Sequence, residues 1–266
     1  MVTDHNKIEN SWENKTCSTA TVRLEDGPAI PDDYTATNMF TDTTFEGEDQ
    51  LFWEGFSSGE ASTWKNYLDY GYYDFLRIRE FSATNPLFDS EGPHFNDIEQ
   101  GGAGTCYVLA SLGAMAEFPE LVTSMFLNGQ EISDTGIYNL RFWIRGKPWV
   151  VSVDDYLLTY TLPDPDTLVF TKPDPYTGAM WSTLLEKAWA KIAGNYELSN
   201  GGYLESGLRS MTGVPVFTYW GDEYLNTTAS ATLWSTMKAA DDIDYLLSAA
   251  VYFTDTSSQK NECGII

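Results

Sequence analysis

The run Gln100-Gly101-Gly102-Ala103-Gly104-Thr105-Cys106-Tyr107-Val108-Leu109-Ala110-Ser111 sets three glycines just ahead of one cysteine, and the cysteine at the head of an apolar segment. A glycine-rich turn of this kind delivers Cys106 to a helix N-terminus, where backbone N–H groups and the helix dipole favour a thiolate. Gln100 lies six residues upstream and is the nearest side-chain amide before the turn. Beyond the cysteine, Val108, Leu109, Leu112 and Ala116 recur at helical spacing, and the small residues Ala110, Gly113 and Ala114 permit close approach of a neighbour. The spacing predicts a buried helix of three turns that ends before Pro119, followed by a second short helix over Leu121 to Phe126.

Upstream of the turn, Asp89-Ser90-Glu91-Gly92-Pro93 is an acidic, turn-rich loop running into Asp97, preceded by Asn85-Pro86-Leu87-Phe88 and by a strand-like alternation over Phe75 to Glu80. Between Phe40 and Tyr73, aromatic residues separated by Gly, Ser and Asp read as a coil-rich covering layer without long helices. Residues 1 to about 40 are polar and acidic, with Pro28 and Pro31, and read as an extended arm.

Downstream, Ile137 to Ile144, a turn at Arg145 to Pro148, and Trp149 to Asp155 form the clearest hairpin. Residues 160–178 carry several prolines around Leu168-Val169-Phe170 and read as loop with one short strand. Trp181, Leu184, Leu185, Ala188, Trp189 and Ile192 share one face of an amphipathic helix closing at Gly194, expected to pack on the Cys106 helix. Gly201-Gly202 follow, then a short helix over Tyr203 to Met211 that breaks at Gly213, another near Leu233 to Ala239, and a strand-like stretch from Ile243 to Phe253. A more β-rich unit is expected to begin between residues 215 and 230.

The chain has 266 residues, 42 % hydrophobic and 15 % aromatic, enough for a real core. Its 39 acidic residues against 15 basic ones give a net charge of −24, a field that repels phosphates and anionic membranes and so disfavours nucleic-acid partners. Cys17, Cys106 and Cys263 are odd in number and widely spaced, which gives neither a disulfide framework nor a CxxC metal pattern and points to a reducing compartment. No run approaches the length of a bilayer span.

Together these motifs resemble the protease core of the calpain family. The resemblance rests on Gln100-Gly-Gly-Ala-Gly-Thr-Cys106-Tyr, Asn85-Pro86-Leu87-Phe88, Phe142-Trp143, the Trp149 to Asp155 strand, Trp181-Ser-Thr-Leu-Leu-Glu-Lys-Ala-Trp-Ala-Lys191, Gly201-Gly202 and Thr212-Gly213, over roughly residues 40 to 260. It implies an α+β, papain-like cysteine proteinase fold: an acidic arm over 1–40, an α-rich first subdomain over 41–215, and a linker with the truncated start of a β-rich second subdomain over 216–266. It implies a calcium-dependent, intracellular and cytoplasmic cysteine endopeptidase acting on protein substrates. Carried over by position, Cys106 is the nucleophile and Gln100 the side-chain donor to an oxyanion. Gly201 and Gly202 line the substrate backbone, and Asp97 and Glu186, with the carbonyls of Ser90 and Gly92, bind Ca²⁺.

Two positions depart from the family pattern. Gly-Asp-Cys-Trp becomes Gly104-Thr105-Cys106-Tyr107, with Thr105 expected to cap the helix in place of the aspartate. The resemblance also requires a histidine and an asparagine from the second subdomain, whereas the histidines here are His5 in the arm and His94, twelve residues before Cys106. Asn261 to Ile266 reads as the approach to that histidine, so the catalytic base is expected beyond Ile266, from the remainder of the same chain, and these residues alone are expected to be inactive. The alternative is a catalytically silent calpain-like module used for structure or protein binding in a larger assembly.

Overall fold

The computed structural model describes residues 34–52, 59–161, 167–224 and 226–250, together with the backbone of the strand at 21–23. Cys17, Cys263, His5 and the Asn261 to Ile266 segment lie outside the described residues.

Strand β1 (Thr21–Arg23) comes from the acidic arm and pairs antiparallel with Trp149 to Val151. The 40–45 strap follows the same side: Phe40 N–H donates to Thr135 O at 2.8 Å, and Asp42 N–H to the Asp154 carboxylate at 2.8 Å. Helix α1 (Gly59–Asp69) then runs for 11 residues, which corrects the expected coil-rich layer. Trp64 anchors it, 4 % exposed and edge-on to Phe170 at 5.3 Å. Its turn spacing was hidden by flanking Gly and Ser residues, and tertiary burial of one aromatic outweighs weak propensity.

Strand β2 (Tyr73–Arg77) bends directly into the one-turn helix α2 (Ile78–Phe81), so the predicted strand over 75–80 is shorter and begins earlier. Helix α3 (Cys106–Met115) is buried and ends before Pro119, as its periodicity predicts. Helix α4 (Pro119–Thr123) starts two residues before the expected position because Pro119 occupies the first turn, where its missing N–H costs nothing.

The hairpin is β3 (Ile137–Ile144) and β4 (Lys147–Asp154), in register from Ile137 opposite Asp154 to Ile144 opposite Lys147. Only Arg145 and Gly146 form the loop, at φ 51° and 72°, the positive angles that a two-residue turn needs to match strand twist. Asp155 then turns the chain into β5 (Tyr156–Tyr160), which pairs with β2 and with β6 (Thr167–Leu168). The sheets are thus β1-β4-β3 and β2-β5-β6.

Helix α5 (Trp181–Ala193) is buried nearly all round rather than on one face. Its lysines can be interior because each is paired. Lys187 Nζ lies 2.5 Å from the Asp154 carboxylate and donates to Tyr156 O at 2.6 Å, while Lys191 lies 2.5 Å from Asp42 and donates to Ser152 O at 2.7 Å. Arg77 and Asp155 form a third buried pair at 2.5 Å. The two lysine pairs offset the cost of burying their charges and fasten α5 to the strap, β4 and β5, whereas Asp155 keeps one buried oxygen, Oδ2, without a partner among the described residues. The Asn85 to Phe88 segment holds the other end, where Pro86 and Leu87 carbonyls accept from the Met180 and Trp181 N–H groups.

Helices α6 (Tyr196–Ser199) and α7 (Leu204–Thr212) follow, with α7 closed by Gly213 at φ 74°. Helix α8 (Thr227–Asp241) is twice the expected length and buries none of its residues. Residues 243–250, expected to be strand-like, have no regular structure, and 251–253 lie outside the described residues. The core joins α3, β3, β4 and α5 through Leu112, Leu140, Phe142, Val151, Trp181 and Leu185. Each such side chain contributes about 1.5–3 kcal/mol by leaving water. The fold is therefore mixed α+β, with the Cys106 helix inside a helical group flanked by two small antiparallel sheets.

Candidate active site

Cys106 is the first residue of α3, is partly exposed and is not in a disulfide. The turn before it is pinned at both ends. Gly101 presses on the carbonyls of Val169 and Phe170 so closely that any Cβ would collide with the backbone, and the Gly102 N–H donates to Val169 O at 2.7 Å. At the other end the Gly104 N–H donates to Asn200 Oδ1 at 2.6 Å, and the Gly201 N–H returns a bond to Gly104 O at 2.8 Å. The structure thus brings the 201–202 segment against the cysteine turn. Asn200, the residue that joins them, carried no sequence signal except its position beside the glycine pair.

The two glycines serve different purposes. A side chain on Gly202 would sit 2.5 Å from the Tyr107 ring, whereas one on Gly201 would meet nothing within 4 Å, although φ of 74° disfavours any L residue there. Gly201 is exposed, with open space on the side where a Cβ would stand. Gly202 is small because of Tyr107.

Gln100 is exposed, and its side-chain N–H donates to Ala103 O at 2.9 Å across its own turn. An amide carries two N–H donors, so this bond orients the group and leaves a second donor. Tyr107 is anchored through its hydroxyl, which accepts from Trp189 Nε1 at 2.8 Å and donates to Ser199 O at 3.0 Å. Burial pushes the Tyr107 hydroxyl well above its ordinary pKa, so it acts only as a neutral bridge.

Thr105 does not cap α3 with its side chain, contrary to expectation. Its hydroxyl instead donates to the Glu186 carboxylate, whose other oxygen accepts the Thr171 N–H at 2.9 Å. Glu186 is wholly buried, and burial raises its pKa against the opposing hydrogen bonds from Thr105 and Thr171.

Asp97 has a separate set of partners. Its carboxylate accepts the His94 N–H at 2.8 Å and Trp181 Nε1 at 2.7 Å, and burial raises its pKa while Asp89 and Asp174 add like charge. The exposed Ser90 and the partly exposed Gly92, at φ 86°, belong to the loop that contains Asp89, so that loop and Asp97 share one neighbourhood. Glu186 lies in another, with Thr105 and Thr171. A Ca²⁺ ion takes six to eight oxygen ligands, and Glu186, dry and engaged at both oxygens, does not fit that duty. Among the described residues no group of three or more His, Cys, Asp or Glu side chains is placed to hold a metal.

His94 is exposed; its Nδ1 accepts the Asn96 N–H at 3.2 Å and caps a short turn, as expected of a loop residue. Among the described residues no helix is long and apolar enough to cross a membrane.

A sequence profile described as calpain family cysteine protease matches residues 40–266. Individual relatives agree with it. Calpain-13 of Rattus norvegicus is 34 % identical over 142 residues, covering 53 % of this chain and 20 % of that protein. Calpain-B of Drosophila melanogaster is 34 % identical over 145 residues, covering 53 % and 15 %. The calpain-1 catalytic subunit of Bos taurus is 36 % identical over 133 residues, covering 49 % and 18 %. The match therefore spans a fifth or less of each relative's length.

Proposed function

The chain belongs to the calpain family of cysteine proteases, and on that premise we propose that it is the nucleophile-bearing part of a cysteine endopeptidase, with Cys106 as the attacking thiol. The observation that carries this reading is the placement of Cys106 at the first position of α3, on a turn braced by Gly101, Gly102 and Gly104 beside the open flank of Gly201. A thiolate there is favoured by the N-terminal half-charge of the helix.

In the proposed reaction the Cys106 sulfur bonds to the carbonyl carbon of a peptide, and the carbonyl oxygen takes the negative charge. The second N–H of Gln100 and the start of α3 stabilise that oxygen, an arrangement worth about 3–4 kcal/mol per donor where it has been measured in such sites. The C–N bond then breaks, the amine leaves with the proton first taken from the thiol, and water hydrolyses the thioester. The proton carrier in this reading is a histidine, oriented by an asparagine, from sequence beyond Ile266, since His94 is already committed to its own turn. Protein chains are the substrates, bound extended along Gly201. No step is assigned to Ca²⁺, because Glu186 does not fit as its ligand.

The test is hydrolysis of an unfolded protein substrate by the full-length protein and by its Cys106→Ala and Gln100→Ala variants. Loss of cleavage in the first and a fall of about 100-fold or more in the second is expected. Substrate binding without any cleavage by the unaltered protein would favour the silent binding module instead.

A further inference from the structure

We propose that Glu186 is a positioning residue for Cys106, acting through Thr105 to fix the start of α3 by hydrogen bonds within the protein rather than through a bound cation. The inference rests on Cys106 being the nucleophile.

Thr105 immediately precedes Cys106 and is completely buried. Its backbone, at φ −99° and ψ 17°, is outside the extended geometry usual for a residue at a helix start. Such a residue ordinarily turns its hydroxyl inward to accept a first-turn N–H. Here the hydroxyl donates to Glu186, and it is the Thr105 carbonyl that takes the Val108 N–H of the first turn at 2.8 Å, so side chain and backbone of Thr105 together tie the start of α3 to α5.

Glu186 is held as firmly as it holds. It projects from the buried helix α5, and its second oxygen accepts the Thr171 N–H, while Thr183 Oγ1, one turn back along α5, donates to Thr171 O at 2.9 Å. The carboxylate therefore ties three segments together: the cysteine turn, the chain after β6, and α5. Among the described residues it makes no ion pair. The groups that bear on it electrostatically are Tyr107 from α3 and Tyr196 from α6, both pushed to high pKa by burial and so neutral across the working range. An aspartate at position 105 would face Glu186 acid to acid. Threonine supplies the donor that a lone buried carboxylate needs.

The experiment uses the full-length protein and follows alkylation of Cys106 by iodoacetamide against pH, read at the cysteine-bearing peptide by mass spectrometry. Thr105→Val removes the donor and is expected to raise the pH midpoint of Cys106 alkylation by about 0.5–1 unit. Thr105→Ser, which keeps the hydroxyl, is expected to stay within 0.2 unit. Thr159→Val removes a buried hydroxyl bond of another kind, from Thr159 to Asp74 O between β2 and β5, outside the Glu186 network, and it too should leave the midpoint in place. A second measurement needs no variant: hydrogen exchange of the Gly102 to Leu109 amides should be the same within twofold in Ca²⁺ and in chelator. A Thr105→Val midpoint that is unmoved or lowered, an equal shift in Thr105→Ser or Thr159→Val, or exchange slowed tenfold by Ca²⁺ would overturn the proposal. If Cys106 alkylates with the predicted pH profile yet no substrate is cleaved, the positioning role stands and the protease reading fails.

Discussion

The Gly104 N–H donates to Asn200 Oδ1 at 2.6 Å, and this bond, with the one returned from the Gly201 N–H to Gly104 O at 2.8 Å, holds the turn carrying Cys106 to the segment carrying Gly201. Replacing Asn200 with alanine leaves the Gly104 N–H without its acceptor, at a cost of about 1–3 kcal/mol. Asn200→Asp retains an acceptor at the same place. The expected outcome is a lowered urea midpoint and slower Cys106 alkylation for Asn200→Ala, with at least half of the rate recovered in Asn200→Asp.

Tyr107 bridges Trp189 and Ser199 through one hydroxyl. Tyr107→Phe keeps the ring and leaves a buried indole N–H and a carbonyl unpaired, so it should destabilise by about 1–3 kcal/mol. Chemical denaturation measures this. The slope against urea should be unchanged, since no surface is newly exposed in the folded state.

The two glycines beside the cysteine turn separate by mechanism. Gly202→Ala drives a methyl group into the Tyr107 ring and should cost about 1–3 kcal/mol through overpacking. Gly201→Ala meets open space and carries only the backbone penalty of positive φ, about 1–2 kcal/mol. Pairing each with Tyr107→Ala distinguishes them: loss of the ring should relieve Gly202→Ala and leave Gly201→Ala as it was.

Stability should depend on pH through Glu186. Burial raises its pKa in the folded state, so the folded protein holds that proton more tightly than the unfolded chain. The resulting stability is fully present below the ordinary carboxylate pKa and is lost as pH rises through the raised one. Glu186→Gln cannot lose a proton there. Unfolding midpoints measured from pH 4 to 7 should therefore fall more steeply for the unaltered protein than for Glu186→Gln, whatever their offset. Asp97 and Asp155 are raised by burial in the same sense and supply a background common to both.

What the sequence made legible was local. The apolar spacing after Cys106 marks α3, and the alternation on either side of Arg145-Gly146 marks the hairpin, because each pattern is written within one element. Helix α5 was recognisable but its burial was not: Lys187 and Lys191 read as a solvent face until Asp154 and Asp42, 33 and 149 residues away, supply their partners. The same holds at the site. Cys106, Gln100 and the glycine pair stand out by composition, whereas the bond from Thr105 to Glu186 crosses 81 residues and reverses the expected role of each. A threonine before a helix suggests a cap and a glutamate on a helix suggests solvent or a cation. Only the packing of α3 against α5 sets one to satisfy the other.

Covalent trapping shows directly whether Cys106 acts as the nucleophile of a peptidase site. The full-length protein is incubated with a peptide vinyl sulfone, digested, and the modified residue located by mass spectrometry. Stoichiometric labelling at Cys106 is expected, blocked by competing substrate and reduced at least tenfold in Gln100→Ala. Labelling that fails at Cys106, or that proceeds equally well with substrate present, would contradict that role.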